Sequence, residues 1–82
     1  MKMNEYIHKW VKGVDHTKRQ SSVSVRDGDL YSYATRIAQR GSDGRSILLN
    51  RRKYSVTTSK QQGYVRRAAS YEGMTITEYD PE

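Results

Sequence analysis

A single dipeptide places the strongest constraint on how this chain can fold. The Asp-Gly pair at positions 27–28 lies between two segments of alternating apolar and polar residues, Ser-Val-Ser-Val-Arg before it and Asp-Leu-Tyr-Ser-Tyr after it. Asp-Gly is preferred in the type I′ turn, because both central residues of that turn need a positive φ. The sequence therefore predicts a two-residue β-hairpin in which Val25 faces Leu30 and Val23 lies across from Ser32.

The core available to such a fold is thin. Leu, Ile and Val together number 13 of 82 residues, about 16%, and Phe is absent. A fraction below roughly 20%, combined with a high net charge, is typical of disordered chains. Seven Tyr and one Trp favour an ordered chain, since each buries a large apolar body and keeps a polar tip in water. We expect a folded domain with a small core, which homodimerisation could support.

Hydrophobic periodicity predicts the elements around the hairpin. An N-terminal amphipathic helix follows from apolar residues at i, i+3, i+4 and i+7, namely Ile7, Trp10, Val11 and Val14. The second hairpin strand is expected to continue through residue 37, with one face carrying Tyr31, Tyr33, Thr35 and Ile37. Residues 46–50, the most hydrophobic run, and residues 54–58, rich in strand-forming residues, are expected to be further strands.

The C-terminal part predicts a helix followed by a strand. Thr58 with Gln61, or Ser59 with Gln62, fits a capping box, so we expect a helix that ends near Gly73. Its predicted apolar side consists of Tyr64, Val65, Ala68, Ala69 and Tyr71. Residues 74–79 alternate in character, as a last strand does.

The predicted order of elements is α-β-β-β-β-α-β. This order indicates an α+β fold, a four- to five-stranded, mostly antiparallel sheet with helices on one face. We expect residues 1–82 to form a single small domain. Within it, residues 1–20 are helix and loop, residues 21–58 form the antiparallel sheet, and residues 59–82 are helix, strand and acidic tail.

The net charge of +6 is unevenly distributed along the chain. Residues 36–67 carry nine Lys and Arg and one acidic residue, whereas residues 68–82 carry four acidic residues and no basic one. A strongly basic centre favours an acidic partner, either nucleic acid or a nucleoprotein complex. The acidic tail can screen this centre or form ion pairs with it.

Tyrosines interleave with the basic residues of the central segment. Arg binds phosphate through two parallel N–H groups, and a Tyr ring stacks on unpaired bases. The predicted basic binding residues are Arg36, Arg40, Arg45, Arg51, Arg52, Lys53, Lys60, Arg66 and Arg67. The predicted aromatic binding residues are Tyr31, Tyr33, Tyr54 and Tyr64. The alternative interpretation is a solvated basic face over a core built from tyrosines, because Phe is missing.

Catalytic and metal-binding chemistry finds no support in the sequence. Cys is absent, which excludes disulfides, Cys-type zinc sites and a Cys nucleophile. His8 and His16 have no carboxylate at zinc-ligand spacing, and Asp27 and Asp29 flank a turn. We therefore expect no metal, no cofactor and no enzymatic activity. No apolar run approaches the roughly 18 residues of a membrane span, so we expect a cytoplasmic protein without membrane contact.

Three segments carry a resemblance to a known group of proteins. They are Leu-Tyr-Ser-Tyr-Ala-Thr-Arg-Ile-Ala at 30–38, Leu-Leu-Asn at 48–50 and Tyr-Ser-Val-Thr-Thr-Ser-Lys-Gln-Gln at 54–62. In this order they resemble short, uncharacterised proteins of tailed phages with a Tyr-Ser-x-Thr-Thr-Ser-Lys segment. The resemblance implies a phage origin and action inside the host cell, where small single-domain proteins inhibit host defence or act as regulators. It implies no catalytic residues.

Three functional hypotheses follow. The first is a non-enzymatic phage accessory protein that binds a host nucleoprotein target, in the manner of an anti-CRISPR inhibitor of a defence complex. The second is a regulatory protein that binds DNA or RNA directly through its basic, tyrosine-rich surface. The third is a small toxin-type ribonuclease, which lacks a residue that stands out as acid or base. The resemblance puts the first hypothesis slightly ahead.

Overall fold

The computed structural model describes residues 2–14, 20 and 22–80. The elements in chain order are helix α1 (Met3–Val11), strands β1 (Val23–Arg26), β2 (Asp29–Ser32), β3 (Thr35–Arg40) and β4 (Ser46–Asn50), helix α2 (Val56–Tyr71) and strand β5 (Thr75–Tyr79). The strands form one sheet in the order β1-β2-β3-β4-β5. The first three pairings are antiparallel, and β4 and β5 pair in parallel. The predicted α+β fold is confirmed.

The hairpin forms as the Asp-Gly dipeptide predicts. Asp27 and Gly28 have φ values of 52° and 83°, as a type I′ turn requires. The β1–β2 register places Val25 opposite Leu30 and Val23 opposite Ser32. Local turn chemistry therefore determines which strand residues face the core.

The prediction of one long strand through residue 37 is wrong. The chain reverses at Tyr33 and Ala34, and Ser32 pairs with Thr35 across the new hairpin. The turn is held in place because the Tyr33 N–H donates to the carbonyl of Ser22 at 2.7 Å. The reversal lets Ile37 lie fully buried in the core.

The predicted strand at residues 54–58 is also wrong, because α2 begins at Val56. The predicted capping boxes at residues 58–62 do not form its start. Ser55 is the N-cap, and its Oγ accepts a hydrogen bond from the N–H of Thr58 at 3.1 Å. β-Branched residues favour a strand locally, but the cap and the burial of Thr58, Gln61 and Gln62 stabilise the helix instead.

Replacing Ser55 by alanine is expected to lower the free energy of unfolding by about 1 kcal/mol, because the N–H of Thr58 loses its acceptor. Urea denaturation followed by far-ultraviolet circular dichroism measures this change. Thr57→Ala is the control, since Thr57 is exposed in the same first turn and caps nothing in the described structure. Equal effects of the two substitutions would contradict the assignment of Ser55 as the cap.

The core lies between the sheet and the two helices, which pack side by side on one face of it. Trp10 of α1 is fully buried, and its Nε1 donates to the carbonyl of Gly28 at 2.8 Å. Two residues predicted to be on apolar helix faces are exposed instead, Val14 at 47% and Tyr71 at 81%. Val14 is exposed because α1 ends at Val11, so Val14 is not part of the helix and does not continue its apolar face.

The described segments contain no helix that combines the length and the apolar character needed to cross a membrane. The loop predicted after α1, at residues 15–22, lies largely outside the described residues. His16 also lies outside them.

Candidate functional site

Within the described residues, Arg36, Arg51 and Arg66 of the predicted basic binding residues form ion pairs with acidic residues. Arg66 contacts Oε1 of Glu78 through Nη2 at 2.8 Å and Nε at 3.0 Å. Arg51 contacts Oδ1 of Asp80 at 2.6 Å, and this hydrogen bond lowers the pKa of the Asp80 carboxyl. The C-terminal acidic residues therefore neutralise part of the basic centre. Of the two expected roles of the acidic tail, screening or ion pairing, these contacts are ion pairs.

The third ion pair lies on the sheet face that is opposite the helices. Arg36 approaches Oδ2 of Asp29 at 3.4 Å, and Tyr31 lies directly across from Arg36 in the neighbouring strand. The guanidinium of Arg26 lies 5.2 Å from the centre of the Tyr31 ring. Tyr31 is half-buried and Arg36 is exposed. Tyr31 contacts Arg26, and Arg36 contacts Asp29, so both already have partners on the sheet.

Arg40 has a structural position. Its Nη2 donates to the carbonyl of Trp10 at 3.0 Å, and its guanidinium lies 5.3 Å from the centre of the Trp10 ring. The side chain therefore fastens β3 to the end of α1. Arg45, in contrast, lies in the exposed loop before β4, where the backbone N–H groups of Arg45 and Ser46 donate to Asp43 and lower the pKa of the Asp43 carboxyl.

Three further basic residues belong to the segment before α2 and to the first turns of that helix. Within the described chain, Arg52, Lys53 and Lys60 have no acidic partner, and all three are exposed. Arg52 and Lys53 belong to the segment that joins β4 to α2, and Lys60 lies in the second turn of the helix. The guanidinium of Arg52 lies 5.9 Å from the centre of the Tyr54 ring, a cation–π distance that leaves the charge at the surface.

Two hydrogen-bonded residues bring Tyr54 and the β2–β3 turn to the same end of the molecule. Asn50 donates through Nδ2 to the carbonyl of Arg36 at 3.1 Å and to the hydroxyl of Tyr54 at 2.9 Å. Ser32, directly before Tyr33, places its hydroxyl 3.4 Å from that of Thr58 in α2. The turn, the segment before α2 and the first turns of α2 therefore lie side by side.

We call this surface the tyrosine end and define it by Tyr33, Arg52, Lys53, Tyr54 and Lys60. Tyr33 is 60% exposed and Tyr54 is 42% exposed. Five of the thirteen residues predicted from the sequence thus lie at one end of the fold. Its two tyrosines are exposed to solvent, and its three cations are available to an anion, because no described acidic residue pairs with them.

Sequence reasoning missed Val56, which lies beside the tyrosine end and is 75% exposed. The strand expected at residues 54–58 does not reveal that a helix begins at Val56. The signal that could have revealed its position is Ser55, a good N-cap residue placed three positions before Thr58. An exposed valine two residues after Tyr54 adds apolar surface to this end.

The last two predicted residues lie at a different surface, a groove between α1 and α2. A cavity of about 240 Å³ is lined there by Asn4, His8, Tyr64, Arg67, Ala68 and Tyr71. Arg67 lies 6.0 Å from the Tyr64 ring centre, and Nε2 of His8 contacts Glu72 at 2.7 Å. Tyr64 and Arg67 lie in α2 one and two turns after Lys60, the member of the tyrosine end nearest to them, and they face the groove.

Metal-binding side chains do not converge in the part of the chain that the structure describes. No group of three His, Asp or Glu residues there could hold a metal ion. What the described site can do chemically is bind an anion with aromatic groups, through cations and open tyrosine rings.

Comparison with known proteins gave no match to this chain. No family model, no curated protein and no solved structure matches it. The fold and the site therefore define it as a small α+β protein with a basic, tyrosine-bearing end, and its function has to be argued from that geometry.

Proposed function

We propose that this chain is a non-enzymatic nucleic-acid-binding protein whose contact surface is the tyrosine end. The observation that carries the proposal is the convergence of Arg52, Lys53 and Lys60 with two exposed tyrosines. Cations supply the phosphate contacts that dominate affinity for nucleic acid, and tyrosine faces supply stacking platforms for bases. A solvated basic face over a tyrosine core accounts for Tyr6, which is buried, but it does not account for Tyr33 and Tyr54, which are both exposed.

The position of these cations also distinguishes them from the rest of the basic centre. Arg36, Arg51 and Arg66 are already paired with carboxylates, so a phosphate would have to displace those partners. Arg52, Lys53 and Lys60 have no carboxylate to displace among the described residues. A ligand therefore gains more from the tyrosine end than from the paired arginines.

A host nucleoprotein target and inhibition of a CRISPR-type complex stay predictions that rest on the phage resemblance. Such a target presents the same phosphate backbone, so the proposed contact surface applies to it as well. The ribonuclease hypothesis and homodimerisation also stay predictions.

Binding to a labelled single-stranded oligonucleotide of about 12 residues, measured by fluorescence anisotropy over a salt series, tests the proposal. If the three cations each contact a phosphate, the slope of log K against log salt is expected to be about −2. Affinity then falls roughly 15-fold between about 50 and about 200 mM salt. Absence of binding at the lowest salt, or a slope near zero, would overturn the proposal.

A further inference from the structure

Tyr33 has an unusual backbone conformation for its residue type. Its φ is 56°, in the left-handed region that bulky residues rarely adopt, and it occupies the first position of a two-residue hairpin turn. Glycine is the residue that such a position favours when only the first central residue has a positive φ, and Ala34 does not have one. The fold is therefore less stable with tyrosine at position 33 than it would be with glycine there.

The Tyr33 side chain makes no specific polar or ring contact within the described residues that would offset this strain. It is 60% exposed, and within the described residues its ring and hydroxyl make no hydrogen bond, ring contact or cation–π contact. The backbone, by contrast, is anchored through the N–H of Tyr33, which donates to Ser22 at 2.7 Å. A rigid turn thus projects an unpartnered aromatic ring beside the cations of the tyrosine end. Strained residues of this kind persist where they serve a function.

We infer that Tyr33 is a stacking anchor for an unpaired nucleobase and that the tyrosine end consequently selects single-stranded over double-stranded nucleic acid. The inference rests on the proposed function and specifies its ligand class. Bases within a duplex are stacked on each other and do not offer a face to a tyrosine ring, whereas bases of a single strand do. The neighbouring cations hold the phosphates of the same strand.

Tyr33→Gly is the discriminating substitution, because the inference predicts opposite effects on stability and on binding. Removing the strain is expected to raise the Tm by about 4–8 °C. Removing the ring is expected to weaken binding of a single-stranded oligonucleotide roughly 5- to 100-fold. Binding of a duplex of the same sequence, through phosphate contacts alone, is expected to be weaker from the start and nearly unchanged by the substitution.

Two variants serve as controls. Tyr33→Phe keeps the ring and the strained turn, so its Tm and its affinity should match those of the natural chain. Tyr71→Ala removes another exposed tyrosine, in the groove between the helices, and should leave affinity for the oligonucleotide unchanged.

The inference is overturned if Tyr33→Gly binds the single strand as tightly as the natural chain, or if it lowers the Tm. It is also overturned if the duplex binds as well as the single strand. In each of these cases salt-dependent binding by the natural chain would leave the proposed function standing. If the natural chain binds neither ligand, the proposed function and this inference fail together.

Discussion

Trp10→Ala is expected to lower the free energy of unfolding by about 3–5 kcal/mol, the largest loss of stability that any single truncation in this core should cause. Trp10 is the largest of the fully buried side chains. Its removal leaves a cavity between α1 and the sheet and leaves the carbonyl of Gly28 without the indole donor. It also removes the ring on which Arg40 lies. A packing loss, a hydrogen-bond loss and a displaced cation therefore combine at one site.

The consequence is large because the fold has little stability to lose. Domains have roughly 0.05–0.15 kcal/mol of stability per residue, and this chain has few aliphatic core residues. Urea denaturation monitored by circular dichroism measures the loss, and the midpoint of Trp10→Ala should lie at a much lower urea concentration than that of the natural chain. Tyr71→Ala is the matched control, because Tyr71 is 81% exposed and its truncation should change stability by no more than about 0.5 kcal/mol. A loss below about 1 kcal/mol for Trp10→Ala would show that the helix–sheet packing described here is wrong.

Reversing two charges at the tyrosine end should have the largest effect on binding. Arg52→Glu combined with Lys53→Glu is expected to reduce affinity for single-stranded nucleic acid by about 100-fold or more at low salt, because two phosphate contacts become repulsive. The slope of log K against log salt should fall in magnitude by about 1.4. Neither side chain has an acidic partner among the described residues, and Arg52 contacts only the Tyr54 ring at the surface, so the melting temperature should change little.

The opposite end of the sheet offers a control with the same change in net charge. Arg26 lies next to the β1–β2 turn and Arg45 lies directly before β4, so both are remote from the tyrosine end. Both are exposed and lack an acidic partner among the described residues. Arg26→Glu combined with Arg45→Glu should reduce affinity only slightly, through long-range electrostatics. If the two double variants lose affinity equally, binding depends on overall charge and the tyrosine end has no special role.

The sequence predicts those parts of the fold that short-range chemistry determines. The Asp-Gly dipeptide specifies its hairpin completely, including the pairing of Val25 with Leu30. The reversal at Tyr33 was not predictable in the same way, because neither Tyr33 nor Ala34 is a turn-forming residue. The turn forms because the strands on either side of it pair and bury Ile37, which is a tertiary effect.

Residues 54–58 illustrate a second limit. Their β-branched and aromatic residues favour a strand, and the expected number of strands is right only because a missed turn divides one predicted strand into two. The parallel pairing of β4 with β5 brings together residues that are far apart in sequence, and no local signal encodes it. This pairing also positions Glu78 beside Arg66.

The candidate site was predictable in composition but not in location. The interleaving of basic residues with tyrosines correctly directs attention to Arg52, Lys53 and Tyr54 as an exposed group. Charge counting cannot distinguish them from Arg51 or Arg66, whose carboxylate partners arrive from the C-terminal strand. Tyr33 joins the group only because the β2–β3 turn lies beside the start of α2.

The segment that carries Arg52 and Lys53 has no regular secondary structure, yet it is fastened at several points. Gln62 of α2 donates through Nε2 to the carbonyls of Asn50 and Arg52, at 2.7 Å and 3.1 Å. The N–H of Arg52 in turn donates to Oδ1 of Asn50 at 2.9 Å. The conformational entropy of this backbone is thus lost when the protein folds and not when a ligand binds. A strand of nucleic acid meets a preorganised surface, in which only the ends of the long side chains remain to be ordered.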